Sequence, residues 1–165
     1  MNEQQLRRAD AWFRAKPGRI AALRGVNAGC TYGTAAVFCG TCAYLALRRD
    51  PTVVRLALTC GVPFVALSLL RQKIDAPRPF TVYGLEPLIP KESPGESFPS
   101  RHVFSIFVIG ASLAYLCPPL GAAILALGVL LAAARVVSGV HFLRDVLVGA
   151  IIGVLSAVIG FRIIP

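Results

Sequence analysis

The amino-acid sequence predicts an all-α integral membrane protein: a helical bundle of about five transmembrane helices with an amphipathic interfacial helix at its N-terminus. Of the 165 residues, 56% are hydrophobic and only 15% are charged, a balance typical of membrane proteins. The mean hydropathy is +0.69. Several uncharged segments approach the roughly 20 apolar residues needed to cross a bilayer. The length suits a single membrane-embedded domain over residues 1–165.

The N-terminal segment, residues 1–24, is basic and amphipathic. Leu6, Trp12 and Phe13 alternate with arginines, which predicts a helix lying at the membrane interface and ending near Pro17-Gly18.

The first crossing is predicted over residues 25–47. Its small residues recur at helical spacing, which favours close helix packing; they are Gly29, Gly33, Ala36 and Gly40.

Four further crossings are predicted from the remaining apolar segments. The second begins at Pro51 and ends near Leu70, before a polar, proline-rich loop over residues 80–99. No charged residue occurs over 103–134, and Pro118-Pro119 divides that run into two short crossings. A last apolar run covers residues 146–161. Alternating crossings therefore place the segments near 71–78, 100–102 and 135–145 on one membrane face.

The formal charge of +9 argues for interfacial anchoring and an anionic ligand. The basic residues flank apolar runs, so we expect no nucleic-acid partner. Cys39-Gly-Thr-Cys42 matches C-x-x-C, but it lies in an apolar run without a second pair and is interpreted as packing residues. Acidic residues do not cluster, so no metal site and no cofactor are predicted.

Phosphate chemistry is indicated by the polar residues that share this face. Ser100 is predicted to cap a helix whose first turn carries Arg101 and His102, and a helix start binds anions well. His141 and Asp145 are four residues apart and share a helix face. A carboxylate in that position can hold the tautomer of the imidazole, which leaves the other ring nitrogen free to attack.

Three motifs in this order resemble those of the type 2 phosphatidic acid phosphatases. Arg71, six residues and Arg78-Pro79 resemble the first motif, and Pro99-Ser100-Arg101-His102 resembles the second. The third motif is resembled by Arg135, His141 and Asp145, with five residues between the first two and three between the last two. The resemblance covers roughly residues 55–160.

This resemblance implies a metal-independent phosphatase with a phosphohistidine intermediate. His141 would be the nucleophile, Asp145 its orienting partner and His102 the general acid. The phosphate would be held by basic residues and the helix start; the implied set is Arg71, Arg78, Ser100, Arg101 and Arg135. Three positions depart from the usual family pattern: Arg71 replaces lysine, Arg101 replaces glycine and Ala134 replaces serine.

The expected substrate is a lipid phosphomonoester or diphosphate, with a polyprenyl phosphate or diphosphate favoured. Phosphatidic acid, phosphatidylglycerol phosphate and lipid A phosphate remain open. Two other classes of function are a non-catalytic lipid-binding membrane protein and an anion transporter. A transporter is expected to have its polar residues at the membrane midplane, whereas here they lie at one membrane edge. We expect a multi-pass protein of the cell (inner) membrane, in contact with membrane lipids; no oligomeric state is predicted.

Overall fold

The structure, a computed structural model, describes residues 1–90 and 93–163. These residues form helices and connecting segments, and no strand occurs among them. The elements are α1 (Glu3–Arg14), α2 (Pro17–Leu47), α3 (Thr52–Ile74), α4 (Pro79–Val82), α5 (Arg101–Leu116), α6 (Pro118–Val137) and α7 (Leu143–Val158). A short π-helix, Ile159–Ile163, continues α7. The prediction of an all-α membrane bundle is confirmed.

Four segments are long and apolar enough to cross a membrane: Pro17–Leu47, Thr52–Val82, Pro118–Val137 and Leu143–Ile163. Helix α5 is also apolar but has only 16 residues. It lies at the centre of the bundle, packs mainly against α6 and α7, and buries most of its side chains. The break between α5 and α6 falls at Cys117, directly before Pro118-Pro119, as the sequence predicts, because proline suits the first turn of a helix but breaks a helix interior.

The close helix contacts lie on α6 and α7. A methyl group at Gly149 would come within 2.6 Å of the Ser100 carbonyl oxygen, and one at Gly121 within 2.3 Å of the Ala114 backbone nitrogen. By contrast, a methyl group at Gly29 or Gly33 of α2 would meet no described atom within 4 Å. The predicted close packing through the α2 glycines is therefore wrong; that glycine stripe has no partner helix among the described residues.

The N-terminal helix ends close to Pro17-Gly18, as the sequence predicts, but the interfacial segment is shorter than residues 1–24. Helix α1 ends at Arg14, and α2 begins at Pro17, so residues 17–24 belong to the first long helix and not to the interfacial segment. A capping box at Asn2 and Gln5 begins α1, and Pro17 in the first turn of α2 suits a helix start. Leu6 is buried, while the basic face of α1 remains exposed.

Arginines from the N-terminal region hold the segment that follows α4. Arg7 donates to the Tyr83 carbonyl at 3.0 Å, Arg14 to the Glu86 carbonyl at 2.9 Å, and Arg24 to the Leu88 carbonyl at 2.8 Å. This segment belongs to the loop predicted over residues 80–99, of which 91 and 92 lie outside the described residues. Helix α1 therefore lies at the same end of the bundle as this loop.

Candidate active site

Three chain segments meet at the end of the bundle where α1 lies. They are the end of α3 with the segment after it, the N-terminus of α5, and the junction between α6 and α7. The Ser100 amide donates to the Asp145 carbonyl at 2.9 Å, which joins α5 to α7. Arg78 donates to the Val140 carbonyl at 3.0 Å, which joins the first segment to the third. The three sequence motifs are thus brought into one site.

His141 and Asp145 form a buried pair. The His141 Nδ1 lies 3.7 Å from Asp145 Oδ2, and their side chains are 2% and 0% exposed. The Asp145 Oδ2 atom also accepts a hydrogen bond from the Phe142 amide at 2.9 Å, at the start of α7. Because Nδ1 faces the carboxylate, Nε2 is the ring nitrogen left for attack on a substrate.

Ser97 is the third member of this cluster, and no role for it is predicted from the sequence. Its hydroxyl donates to Asp145 Oδ2 at 2.6 Å and lies 3.4 Å from His141 Nδ1. Ser97 is fully buried, and its amide donates to the Ala76 carbonyl at 2.8 Å. Only its place three residues before Ser100, inside the second motif's loop, could have indicated a role.

The environment keeps the His141 imidazole neutral. Burial is the largest effect and lowers the pKa of His141 to about 4, and the positive charges of Arg78 and Arg135 act in the same direction. The neighbouring Asp145 carboxylate opposes this shift. The ring is therefore unprotonated at neutral pH, which is the form that a nucleophile requires.

Arg71 and Arg78 are buried and bound mainly to backbone carbonyls. Arg71 donates to the carbonyls of Pro99 and Glu96. Arg78 donates to those of Ser93 at 3.0 Å and Glu96 at 3.3 Å, besides Val140. The Glu96 carbonyl therefore accepts from both guanidinium groups, and its backbone has a positive φ of 54°. The two arginines fix the loop that leads into α5.

Arg135 differs from these two arginines because no hydrogen bond to its guanidinium occurs within 1–90 and 93–163. It is 4% exposed, and its Nε atom has no partner. It lies within electrostatic range of Arg71, Arg78 and His141. The Ser100 hydroxyl is also buried without a hydrogen-bond partner in the described part of the chain. Unpaired buried polar groups are costly, so these atoms are suited to a polar ligand.

Arg101 and His102 occupy the first turn of α5, as predicted, and are partly exposed. The Arg101 guanidinium carbon lies 5.5 Å from the centre of the Phe64 ring on α3. Both residues line the mouth of a cavity of about 550 Å³ between α2, α3 and α5. Arg101 is also within electrostatic range of Arg71 and Arg78. These two residues therefore lie at the boundary between the polar site and the apolar bundle.

Comparison with known proteins identifies the family. The model of the PAP2 superfamily matches residues 52–165. The chain belongs to the PAP2 superfamily. A crystal structure of LpxE from Aquifex aeolicus is similar, with a TM-score of 0.69 and 27% sequence identity over 86% of this chain and 86% of that one. A search of curated proteins found no match. Family membership and this similarity support a lipid phosphatase, and the four long apolar segments indicate a membrane protein. Helices α1 and α2 precede the matched region.

Proposed function

We propose that this PAP2 protein hydrolyses a lipid phosphate through a phosphohistidine on His141, without a metal ion. The observation that carries the proposal is the buried guanidinium of Arg135, which lies beside the His141–Asp145 pair and whose Nε atom has no hydrogen-bond partner among the residues that the structure describes. A phosphate bound there would pair that charge and accept from the Ser100 hydroxyl. Backbone N–H groups in the first turn of α5 add the positive end of a helix dipole.

The first step transfers the phosphoryl group to the protein. The Nε2 atom of His141 attacks phosphorus, and the bond from phosphorus to the lipid oxygen breaks. His102 donates a proton to the departing oxygen. The leaving group is a lipid alcohol when the substrate is a monophosphate, and a lipid monophosphate when the substrate is a diphosphate. Asp145 and Ser97 hold the His141 ring, and Asp145 stabilises the positive charge that the ring acquires.

The second step releases inorganic phosphate. A water molecule gives a proton to His102 and attacks phosphorus, which breaks the bond to Nε2 and restores the neutral ring. The guanidinium groups of Arg71, Arg78 and Arg135 stabilise charge on the equatorial oxygens in both steps, a role that metal ions fill in many phosphoryl-transfer enzymes. Within the described ranges no group of three or more His, Cys, Asp or Glu side chains is placed to hold a metal.

The test is phosphate release from lipid phosphates by purified protein. We expect His141→Ala to abolish turnover and His102→Ala to reduce it at least 100-fold, the range of general acid–base catalysis. Arg48→Ala, at an exposed position before α3 and at the other end of the bundle, is the matched control. Chelator should leave the rate unchanged. Denatured protein from a rapid quench should carry phosphate in an acid-labile, alkali-stable bond.

Two results would overturn this proposal. One is activity above a few per cent in His141→Ala. The other is activity that chelator removes and a divalent ion restores. The same assay separates the alternatives, because a non-catalytic lipid-binding protein or an anion transporter would release no phosphate even as the wild type. The phosphate site itself does not distinguish a polyprenyl tail from an acyl tail, since its contacts are with the phosphate.

A further inference from the structure

The N-terminal helix α1 packs on the turn that carries His141. Leu6 is the buried residue of α1 and is 3% exposed. Its Cδ2 and Cδ1 atoms lie 3.5 and 3.6 Å from the position that a methyl group on Gly139 would take. Gly139 has a φ of +74° and lies two residues before His141, in the turn between α6 and α7. Leu6 therefore packs directly on this turn.

Leu6 and His141 also line the same small cavity. Its volume is about 10 Å³, and Tyr83 and Phe142 contribute to its walls. A cavity needs roughly 10–15 Å³ to hold one water molecule, so the space between α1 and His141 admits about one water at most. The His141 side chain is 2% exposed, and Leu6 is part of what covers it.

The residue next to Leu6 fixes α1 in this position. Arg7 donates from Nη2 to the Tyr83 carbonyl at 3.0 Å. The Tyr83 ring packs edge to face against the Phe142 ring, with the two centroids 6.2 Å apart. Phe142 follows His141 directly in the chain. Two adjacent residues of α1 thus reach the turn on both sides of His141, one directly and the other through Tyr83.

We propose that Leu6 is a positioning residue of the active site, which fixes the turn that carries His141 and keeps water away from that side chain. The proposal rests on the proposed function of His141 as nucleophile. Burial is the largest cause that lowers the pKa of His141, to about 4, so water beside the ring would raise it. The charged groups that act on His141 are Asp145, Arg78 and Arg135, none of which belongs to α1. Helix α1 precedes the residues matched by the family model, so family membership does not imply this role.

The experiment compares Leu6→Ala with Leu56→Ala by measuring kcat/KM for a lipid phosphate between pH 7 and pH 4. Leu56 is the matched control because it is 0% exposed in the first turns of α3, at the opposite end of the bundle. Leu6→Ala enlarges the cavity and admits water beside His141. Full burial can shift a pKa by roughly 3–5 units, and partial exposure should raise that of His141 by about 0.5–1 unit.

The expected readout is a ratio that depends on pH. For Leu6→Ala, kcat/KM relative to the wild type should fall about 2- to 6-fold between pH 7 and pH 4, because more of the variant's His141 is protonated at acid pH. For Leu56→Ala the ratio should stay constant. The ionisation of the substrate is common to all the proteins and cancels. Leu6→Val, which is one methylene smaller, should show a smaller fall and serves if Leu6→Ala folds poorly. Leu6→Met, of similar volume, should keep the ratio constant.

The outcomes separate this proposal from the proposed function. A loss of equal size at every pH in Leu6→Ala and Leu6→Val would overturn it, because Leu6 would then serve only the stability of the fold. A fall with pH of the same size in Leu56→Ala would also overturn it, since the effect would then not come from the space beside His141. Either result leaves the phosphatase reaction in place. A wild type that releases no phosphate would overturn the proposed function, and this role of Leu6 with it.

Discussion

The Ser97 hydroxyl donates the shorter of the two hydrogen bonds that Asp145 Oδ2 accepts, at 2.6 Å. Removal of this hydroxyl leaves a buried carboxylate oxygen with one donor fewer, and hydrogen bonds to charged groups contribute about 1.5–3 kcal/mol. We therefore expect Ser97→Ala to lower kcat roughly 10- to 100-fold with little change in KM. Ser156→Ala on α7 is the control, since that hydroxyl bonds only to the Ile152 carbonyl of its own helix. An increase in KM with kcat unchanged would contradict a positioning role.

The ionisation of His141 gives a second prediction at the residue scale. Its folded-state pKa of about 4 lies below the unfolded value of about 6.5. The neutral ring therefore persists in the fold down to about pH 4, and its contribution to stability is lost as pH falls from about 6.5 towards 4. Catalysis should likewise lose its nucleophile only near pH 4.

Asp145→Asn tests this assignment, because the negative charge of the Asp145 carboxylate raises the pKa of His141. The variant should be slower at pH 7, but its ring should stay neutral to a lower pH than in the wild type. The ratio of kcat/KM, variant over wild type, should therefore rise as pH falls below about 5. The ionisation of the substrate is common to both proteins and cancels in the ratio. A ratio that stays constant or falls over this range would refute the assignment.

At the scale of the helices, α5 and α7 touch where Gly149 faces the Ser100 carbonyl. A methyl group there would be 2.6 Å from that oxygen, so Gly149→Ala must push α7 away from the start of α5. Overpacking costs about 1–3 kcal/mol, and the displacement would also separate Asp145 from Ser100. We expect a lower thermal unfolding temperature and a lower kcat. Gly29→Ala, which meets no described atom, should leave both unchanged, and equal effects of the two substitutions would contradict this packing.

Some helix contacts could be predicted from the sequence and others could not. The prolines at 118 and 119 predict the break between α5 and α6 because proline restricts the backbone locally. The glycines of α2 predict close helix packing, but no neighbouring helix lies close to them among the described residues. Gly121 and Gly149 do pack closely against α5. Glycine spacing alone does not show which face of a helix has a partner. Likewise nothing local shows that Arg7 and Arg14 donate to carbonyls more than 70 residues away.

The same distinction applies to the site. The charged and imidazole groups could be predicted because side-chain type and spacing record them: Arg71, Arg78, His102, Arg135, His141 and Asp145. The backbone carbonyls that bind Arg71 and Arg78 could not be predicted, since every residue has a backbone carbonyl. Ser97 was missed for a related reason: serine is common in loops, and its contact with Asp145 arises across 48 residues of chain.

For the whole molecule, a phosphate analogue should bind and stabilise the fold. Vanadate or tungstate would pair with the buried Arg135 guanidinium, and a ligand at 100 times its Kd adds about 2.7 kcal/mol to stability. An increase of several degrees in Tm is therefore expected for the wild type in detergent. Arg135→Gln should lose this increase, whereas Arg48→Gln should keep it. An undiminished increase in Arg135→Gln would show that the oxyanion binds elsewhere.

The cavity between α2, α3 and α5 opens on the outside of the bundle, where Ala35 on α2 and Phe64 on α3 line it and are exposed. This opening affects how the reaction is driven and how it is measured. The lipid product can diffuse back into the bilayer, while inorganic phosphate dissolves in water, so the two products enter different phases. This separation opposes re-synthesis of the ester even if the equilibrium constant for hydrolysis is small. The relevant concentration is then the mole fraction of substrate in the membrane or micelle. Added detergent at constant total lipid should slow the enzyme by surface dilution, with no change in the protein.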